Sequence, residues 1–311
     1  MNHLRVVGDL LQLFVRKSRV IAGLEHVLRL RKPERTFWTW EVYSLGATLR
    51  RTLGLGWGSE IKTGSDHGIS LATAPSQAEE NMRPAPYVTW SSWRASLKFS
   101  DERPVYRVQH PWIPYRRLKG FTKSPKARGT LVFVPHSVPN LSYEGFELEG
   151  FIEMVNQLPK EFRPFTFCLQ FHDANLSTAL KIARFNVRVV TLGNSLSPSF
   201  ANRFYSLIRI YEFATSPSIG SQLFYSHELG VRYFLLDPEK QFQRRLQPTQ
   251  GIALPNKEIV NRIEEAFDFG NLETHSREKD AIVYDALGLG LDAAQNFGYT
   301  PILKSINRKW G

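Results

Sequence analysis

The chain is poor in cysteine, in long apolar runs and in the short motifs of common nucleotide and hydrolase sites. A single cysteine, Cys168, among 311 residues excludes an internal disulfide and a cysteine zinc site. That usage fits a reducing compartment. No apolar run approaches the roughly 20 residues that cross a bilayer. The apolar stretch Leu10–Val15 is broken by Gln12 and has no small-residue cleavage site, so no secretory leader is expected. A cytoplasmic protein is the expectation. No Asp-x-Asp pair occurs, which argues against a metal-held diphosphate, and no GxSxG elbow occurs, which argues against a serine hydrolase. What is present is 42% hydrophobic and 13% aromatic, enough for one large or two medium domains and incompatible with disorder or coiled coil.

The charge is uneven. Residues 1–128 hold 22 Lys and Arg against 10 Asp and Glu, whereas residues 129–311 hold 18 against 19. The net +11 of the chain therefore belongs to its first part. Nucleic acid, anionic lipid and phosphorylated substrates would all be attracted, and charge alone does not choose among them.

Composition divides the chain at 119–128, a polar basic stretch with Gly and Pro that reads as a linker. From residue 129 the pattern is regular. Five apolar strand-like runs, Leu131–His136, Phe165–Phe171, Val187–Leu192, Phe213–Thr215 and Val231–Leu236, alternate with four helical segments. This predicts a doubly wound parallel sheet over 129–255. A helical tail follows over 256–311, with helices around Ile259–Phe267 and Ala281–Leu289. In residues 1–118 the order is less regular. Residues 1–30 read as amphipathic helix, and Phe37–Trp40, Tyr87–Trp90 and Val105–Gln109 as strands, with a helix around Glu41–Leu53. The fold class expected is α/β, with two Rossmann-like domains facing a cleft.

Ligands of an open parallel sheet bind at the carboxyl ends of its strands. Polar residues stand there at four successive places: His136 and Ser137, His172 and Asp173, Asn194, and the run Ser216, Ser218, Gly220 and Ser221 that opens a helix. A helix start offers free amides and partial positive charge to a phosphate, although serines before a helix also serve as simple caps. The loop is neither a P-loop nor a GxGxxG turn. His136 and His172 lack a third ligand at a recognisable spacing, so no metal site is expected. In the first part, Asp66-His67 is the one adjacent acid–imidazole pair and a candidate general base. Ser91 and His110 sit after two of the other strand-like runs.

Those motifs, His136-Ser137, Phe171-His172-Asp173 and the loop and helix Thr215–Tyr225, resemble the donor domain of GT-B glycosyltransferases, with capsule and O-antigen enzymes of the Kdo- and sialyltransferase type as relatives. The resemblance spans roughly 60–237. It implies a metal-independent transfer of a sugar from a nucleotide-sugar co-substrate to a cell-surface polysaccharide or lipid-linked acceptor, with no further cofactor. It assigns His136, Ser137, His172, Asp173, Asn194, Ser216, Ser218, Gly220 and Ser221 to the donor phosphate, Ser91 and His110 to the acceptor side, and residues 1–118 to an acceptor-type domain. Asp66 or His67 would take the proton. The family's donor-domain His-Pro stands here as His136-Ser137, so UDP- and GDP-sugars remain open beside CMP-sugars. The basic first part would dock on an anionic membrane face. Two other classes are consistent with composition: a nucleic-acid-binding protein using Trp38, Trp40, Trp90 and Trp93 for stacking, and a non-catalytic nucleotide- or polysaccharide-binding scaffold. Nucleic acid is not the expected partner, because the basic residues are scattered rather than gathered.

Overall fold

The computed structural model describes residues 37–56, 58–135, 148–171, 173–236, 253–291 and 298–300. The helix expected over residues 1–30 lies outside them. Two parallel sheets carry the described chain. The smaller has three short strands in the order β1 (Gly64–Ser65), β2 (Tyr87–Thr89) and β3 (Val105–Arg107). Around it stand α1 (Leu45–Thr52), α2 (Gln77–Glu80) and α3 (Trp112–Leu118).

The larger sheet has five strands: β4 (Thr130–Phe133), β5 (Phe165–Leu169), β6 (Arg188–Thr191), β7 (Phe213–Ser216) and β8 (Arg232–Leu235). Their order in space is β6-β5-β4-β7-β8, every pair parallel. The chain runs outward from β4 to β6, then returns to the other side of β4 for β7. The point of reversal lies between β4 and β7, where a doubly wound sheet opens a crevice at its carboxyl edge. β5 is buried at all five positions, as expected of a strand covered on both faces. Gly129, which precedes β4 at φ +71°, is needed where it stands: a Cβ there would lie 2.3 Å from the Pro164 carbonyl oxygen.

Alternation along the strands sorts the core. Val132, Phe167 and Phe234 point to one face and pack with α4 (Leu148–Gln157) and α5 (Leu176–Ala183). Leu131, Phe133 and Ala214 point to the other. There they join α6 (Phe200–Ile208), α7 (Ser221–Glu228), α8 (Lys257–Phe267) and α9 (Ser276–Leu287). That second cluster continues without a break into Tyr87 of β2, Trp90 and Val108 just after β2 and β3, and Trp112 of α3. The C-terminal helices cross back as well, since the Leu287 carbonyl accepts from the His110 N–H at 3.0 Å and the Asp285 carbonyl from Arg107 at 3.2 Å.

Two expectations change. Phe37–Trp40 is not a strand; Trp38–Ser44 is 3₁₀ with a kink at Val42 and Tyr43. The buried Phe37 and Trp40 are three residues apart, the 3₁₀ period, and Trp38 between them is exposed. The segment 119–128 is no free tether. Ser124 and Arg128 donate backbone bonds to the Arg209 and Ile210 carbonyls, Phe121 stacks on Tyr205, and Lys123 pairs with Glu212 at 2.9 Å.

Candidate active site

The carboxyl edges of the two sheets face a shared cleft of about 530 Å³. From the larger sheet it takes Val134 and Pro135 after β4, Gln170 and Phe171 after β5, and Ser216, Ser218, Gly220 and Ser221 after β7. The cleft thus lies at the point where strand order reverses. From the smaller sheet it takes His67, Gly68, Ile69 and Ser70 after β1, together with Glu79 of α2.

The two walls touch. The Ile69 N–H donates to Ser221 Oγ at 2.8 Å. Gly68 is what allows this approach, since a Cβ at that position would lie 2.9 Å from Ser221 Oγ. His67, one residue earlier, is therefore held beside the start of α7. That helix is capped by Gly220, which has no side-chain oxygen to occupy the first amides. By contrast α5 is capped by Asn175, whose side chain accepts from the Thr178 N–H.

The adjacent pair Asp66 and His67 is split. Successive side chains at a strand end point to opposite sides. His67 opens to the cleft, its ring tilted against that of Trp38 with centroids 5.0 Å apart. The ring is exposed to the cleft, and the desolvation imposed by the neighbouring walls lowers its pKa below the usual imidazole value. The neutral ring, able to accept a proton, is the form present at neutral pH. Asp66 points away and is 1% exposed. Its oxygens accept from Tyr87 at 2.9 Å, Thr89 at 2.6 Å and Arg94 at 2.9 Å. It does not line the cleft, so Asp66 is a support of the loop and His67 is the base candidate.

Arg94 also binds Glu79 at 2.9 Å, and Glu79 in turn accepts from the Ser76 N–H at 2.7 Å; the single Tyr87 O–H, 2.8 Å from Glu79, is shared between Glu79 and Asp66. One buried guanidinium thus serves two buried carboxylates. Burial pushes Asp66 up to about 6, Glu79 adding to the effect and Arg94, Thr89 and Tyr87 opposing it. Although burial raises it, the Glu79 carboxyl is held below its ordinary value by Arg94 and by the hydrogen bonds from Ser76 and Tyr87. One sequence signal points to Glu79, the Ser76-x-x-Glu79 capping box that opens α2.

Of the other residues expected in the site, Ser216, Ser218, Gly220 and Ser221 are brought together in the cleft. Ser216 Oγ donates to the Ser218 carbonyl at 2.6 Å and accepts from Tyr233 at 2.8 Å. Asn194 is set back, its side chain accepting from the Leu196 N–H, and Asp173 does not line the cleft. Ser91 is buried outside it. His110 is wholly buried behind Tyr225, a cleft residue that sequence reasoning missed. His136, Ser137 and His172 lie outside the described residues. Among the described residues no cluster of three or more His, Cys, Asp or Glu could hold a metal ion, and no helix is long and apolar enough to cross a membrane.

No family model matches the chain, and no curated protein matches it. Among solved structures it is similar to the wall teichoic acid polymerase TagF. That structure has a TM-score of 0.44 and 13% identity over 81% of this chain and 70% of that one. Two single-residue variants of TagF give TM-scores of 0.38 and 0.37 at 10% and 12% identity, over 79% and 73% of this chain and 68% and 59% of theirs. At scores this low the likeness carries no weight for activity, and the functional reading rests on the cleft itself.

Proposed function

We propose that the chain is a glycosyltransferase that moves a sugar from a nucleotide-sugar donor to a cell-surface polysaccharide or lipid-linked glycan without a metal ion. The observation that carries this reading is the meeting of the His67–Ile69 loop with the uncapped start of α7 at the point of strand reversal. A proton acceptor and an anion-stabilising helix end share one cleft. In the reaction an acceptor hydroxyl attacks the anomeric carbon as the bond from that carbon to the donor phosphate oxygen breaks. The hydroxyl proton passes to His67. The charge left on the departing phosphate is met by the amides of α7 with Ser218, Gly220 and Ser221. His136, Ser137 and His172, which follow β4 and β5 in the sequence, are assigned to the donor side, as are Asp173 and Asn194. The basic first part would hold the protein against an anionic cytoplasmic membrane face, where lipid-linked acceptors are presented.

The ion pairs favour this reading over nucleic-acid binding. Arg94, Arg103, Arg116 and Lys123, four of the basic residues that give the first part its charge, are bound to carboxylates. Incubation of the pure protein with CMP-, UDP- and GDP-sugars tests it. One donor should be slowly hydrolysed by the wild type, and His67→Gln should stop that hydrolysis. Binding without hydrolysis in the presence of acceptor would leave the scaffold class, and binding of none would remove both.

A further inference from the structure

Tyr225 stands one turn beyond Ser221 on α7, the i to i+4 spacing that puts two side chains on one helix face, and both line the cleft. Its hydroxyl lies 2.9 Å from Nε2 of the buried His110. The opposite ring nitrogen, Nδ1, accepts from the backbone N–H of Trp112 at 3.2 Å. A nitrogen that accepts from an amide carries no proton, so in the neutral ring the proton is assigned to Nε2. Nε2–H therefore donates to Tyr225 Oη. The direction of this bond is set by a main-chain donor that cannot turn round.

Two consequences follow for the hydroxyls. The Tyr225 oxygen already accepts from His110, and the Ser221 oxygen already accepts from the Ile69 N–H. Each hydroxyl keeps its own proton to give, so an O–H donor from either can point into the cleft that both line. The chain from Trp112 through His110 to the cleft ends in a donor.

We propose that Tyr225, with Ser221, recognises a ligand group that only accepts hydrogen bonds, the phosphoryl oxygens of the nucleotide donor, and that His110 is the positioning residue that sets this polarity. The proposal rests on the nucleotide-sugar reading and adds the residue that selects a phosphate over an amide or ammonium at that place. An N–H-bearing ligand group would compete for oxygens that already accept from His110 and Ile69, and would leave the hydroxyl protons unused.

Calorimetric titration with inorganic pyrophosphate, CMP, UDP and GDP tests it in the full chain. Tyr225→Phe should weaken pyrophosphate and the bound nucleotide roughly ten- to a hundredfold, the range for a charge-assisted hydrogen bond. His110→Gln should keep the affinity, because its carbonyl accepts from the Trp112 N–H while its amide donates to Tyr225. His110→Leu should lose it as Tyr225→Phe does. A merely structural His110 would not make Gln and Leu differ at equal melting temperature. Ser221→Ala provides a second variant if Tyr225→Phe melts early, with the same expected loss. Pyrophosphate bound by Tyr225→Phe and Ser221→Ala as tightly as by the wild type would overturn the assignment while leaving nucleotide binding intact. A wild type that binds neither pyrophosphate nor any nucleotide would overturn both.

Discussion

The two walls of the cleft are built in opposite ways. The wall from the smaller sheet holds His67 by full charges out of water: Arg94 and the Tyr87 hydroxyl lie between one oxygen of Asp66 and one of Glu79, with Thr89 on the other Asp66 oxygen and the Ser76 N–H on the other Glu79 oxygen. The wall from the larger sheet presents neutral groups, the amides of an uncapped helix and the hydroxyls of Ser221 and Tyr225. A buried ion-pair network is costly to disturb and fixes one geometry. A helix end and hydroxyls carry no net charge and can meet an anion that comes and goes. Rigidity thus belongs to the side with the proton acceptor, and charge tolerance to the side that would receive the leaving group.

The comparison can be broken from either wall. The largest effect expected is on rate. His67→Gln should lower transfer or donor hydrolysis by about 10²–10⁴-fold with folding intact. Because its pKa is shifted down from 6.5, the wild-type rate should be flat at neutral pH and fall only below that value. An unchanged rate would take His67 out of the reaction. Next is Arg94→Met, which leaves two buried carboxylates unpaired and should cost about 3–5 kcal/mol in urea unfolding. A loss under about 1 kcal/mol, the worth of an exposed pair, would show the network to be peripheral.

Gly68→Ala tests the contact between the walls. Pushing a methyl group against Ser221 Oγ should cost about 1–3 kcal/mol of stability or, if the loop gives way, of nucleotide affinity. Unchanged melting and binding would show the close approach to be dispensable. His110 should mark the pH profile of stability. It is buried in the neutral form, and its pKa is far below 6.5 in the fold. The unfolded chain takes up the proton first, so stability is full above 6.5 and is lost as pH falls below it. Asp66 acts with the opposite sign, costing stability as pH rises from 3.8 through about 6. His110→Gln should flatten the acid loss, and melting curves at pH 5 and 7.5 would show whether it does. The smallest effect on stability, a few tenths of a kcal/mol, is expected from Gly220→Asp, which supplies α7 with a side-chain cap. The same change should weaken phosphate binding, since the carboxylate takes the amides for itself. Equal phosphate binding in this variant would mean that those amides do not serve the ligand.

The larger sheet was legible because its strands are apolar runs bounded by turns; the run Phe165–Phe171 contains β5, Phe165–Leu169. In the smaller sheet β2 and β3 were read, as Tyr87–Trp90 and Val105–Gln109, whereas β1 has two residues, too few for a period to show. Arg94 and Glu79 were not singled out because charged residues usually lie in water, and only tertiary packing reveals that Arg94 is 0% exposed. Asp66 and His67 were found as a pair, yet neighbours at a strand end face opposite ways, which no adjacency in sequence discloses. Tyr225 stood inside the run that named Ser221, one turn on, and the helical period alone would have placed both on one face.

The measurement that bears most directly on the cleft is a crystal structure with whichever of CMP, UDP or GDP raises the melting temperature most. A phosphate within hydrogen-bond distance of the Ser221 and Gln222 amides and the Tyr225 hydroxyl, with His67 on the facing wall, is the result expected. A nucleotide seated on the basic surface outside the cleft, with α7 untouched, would contradict it.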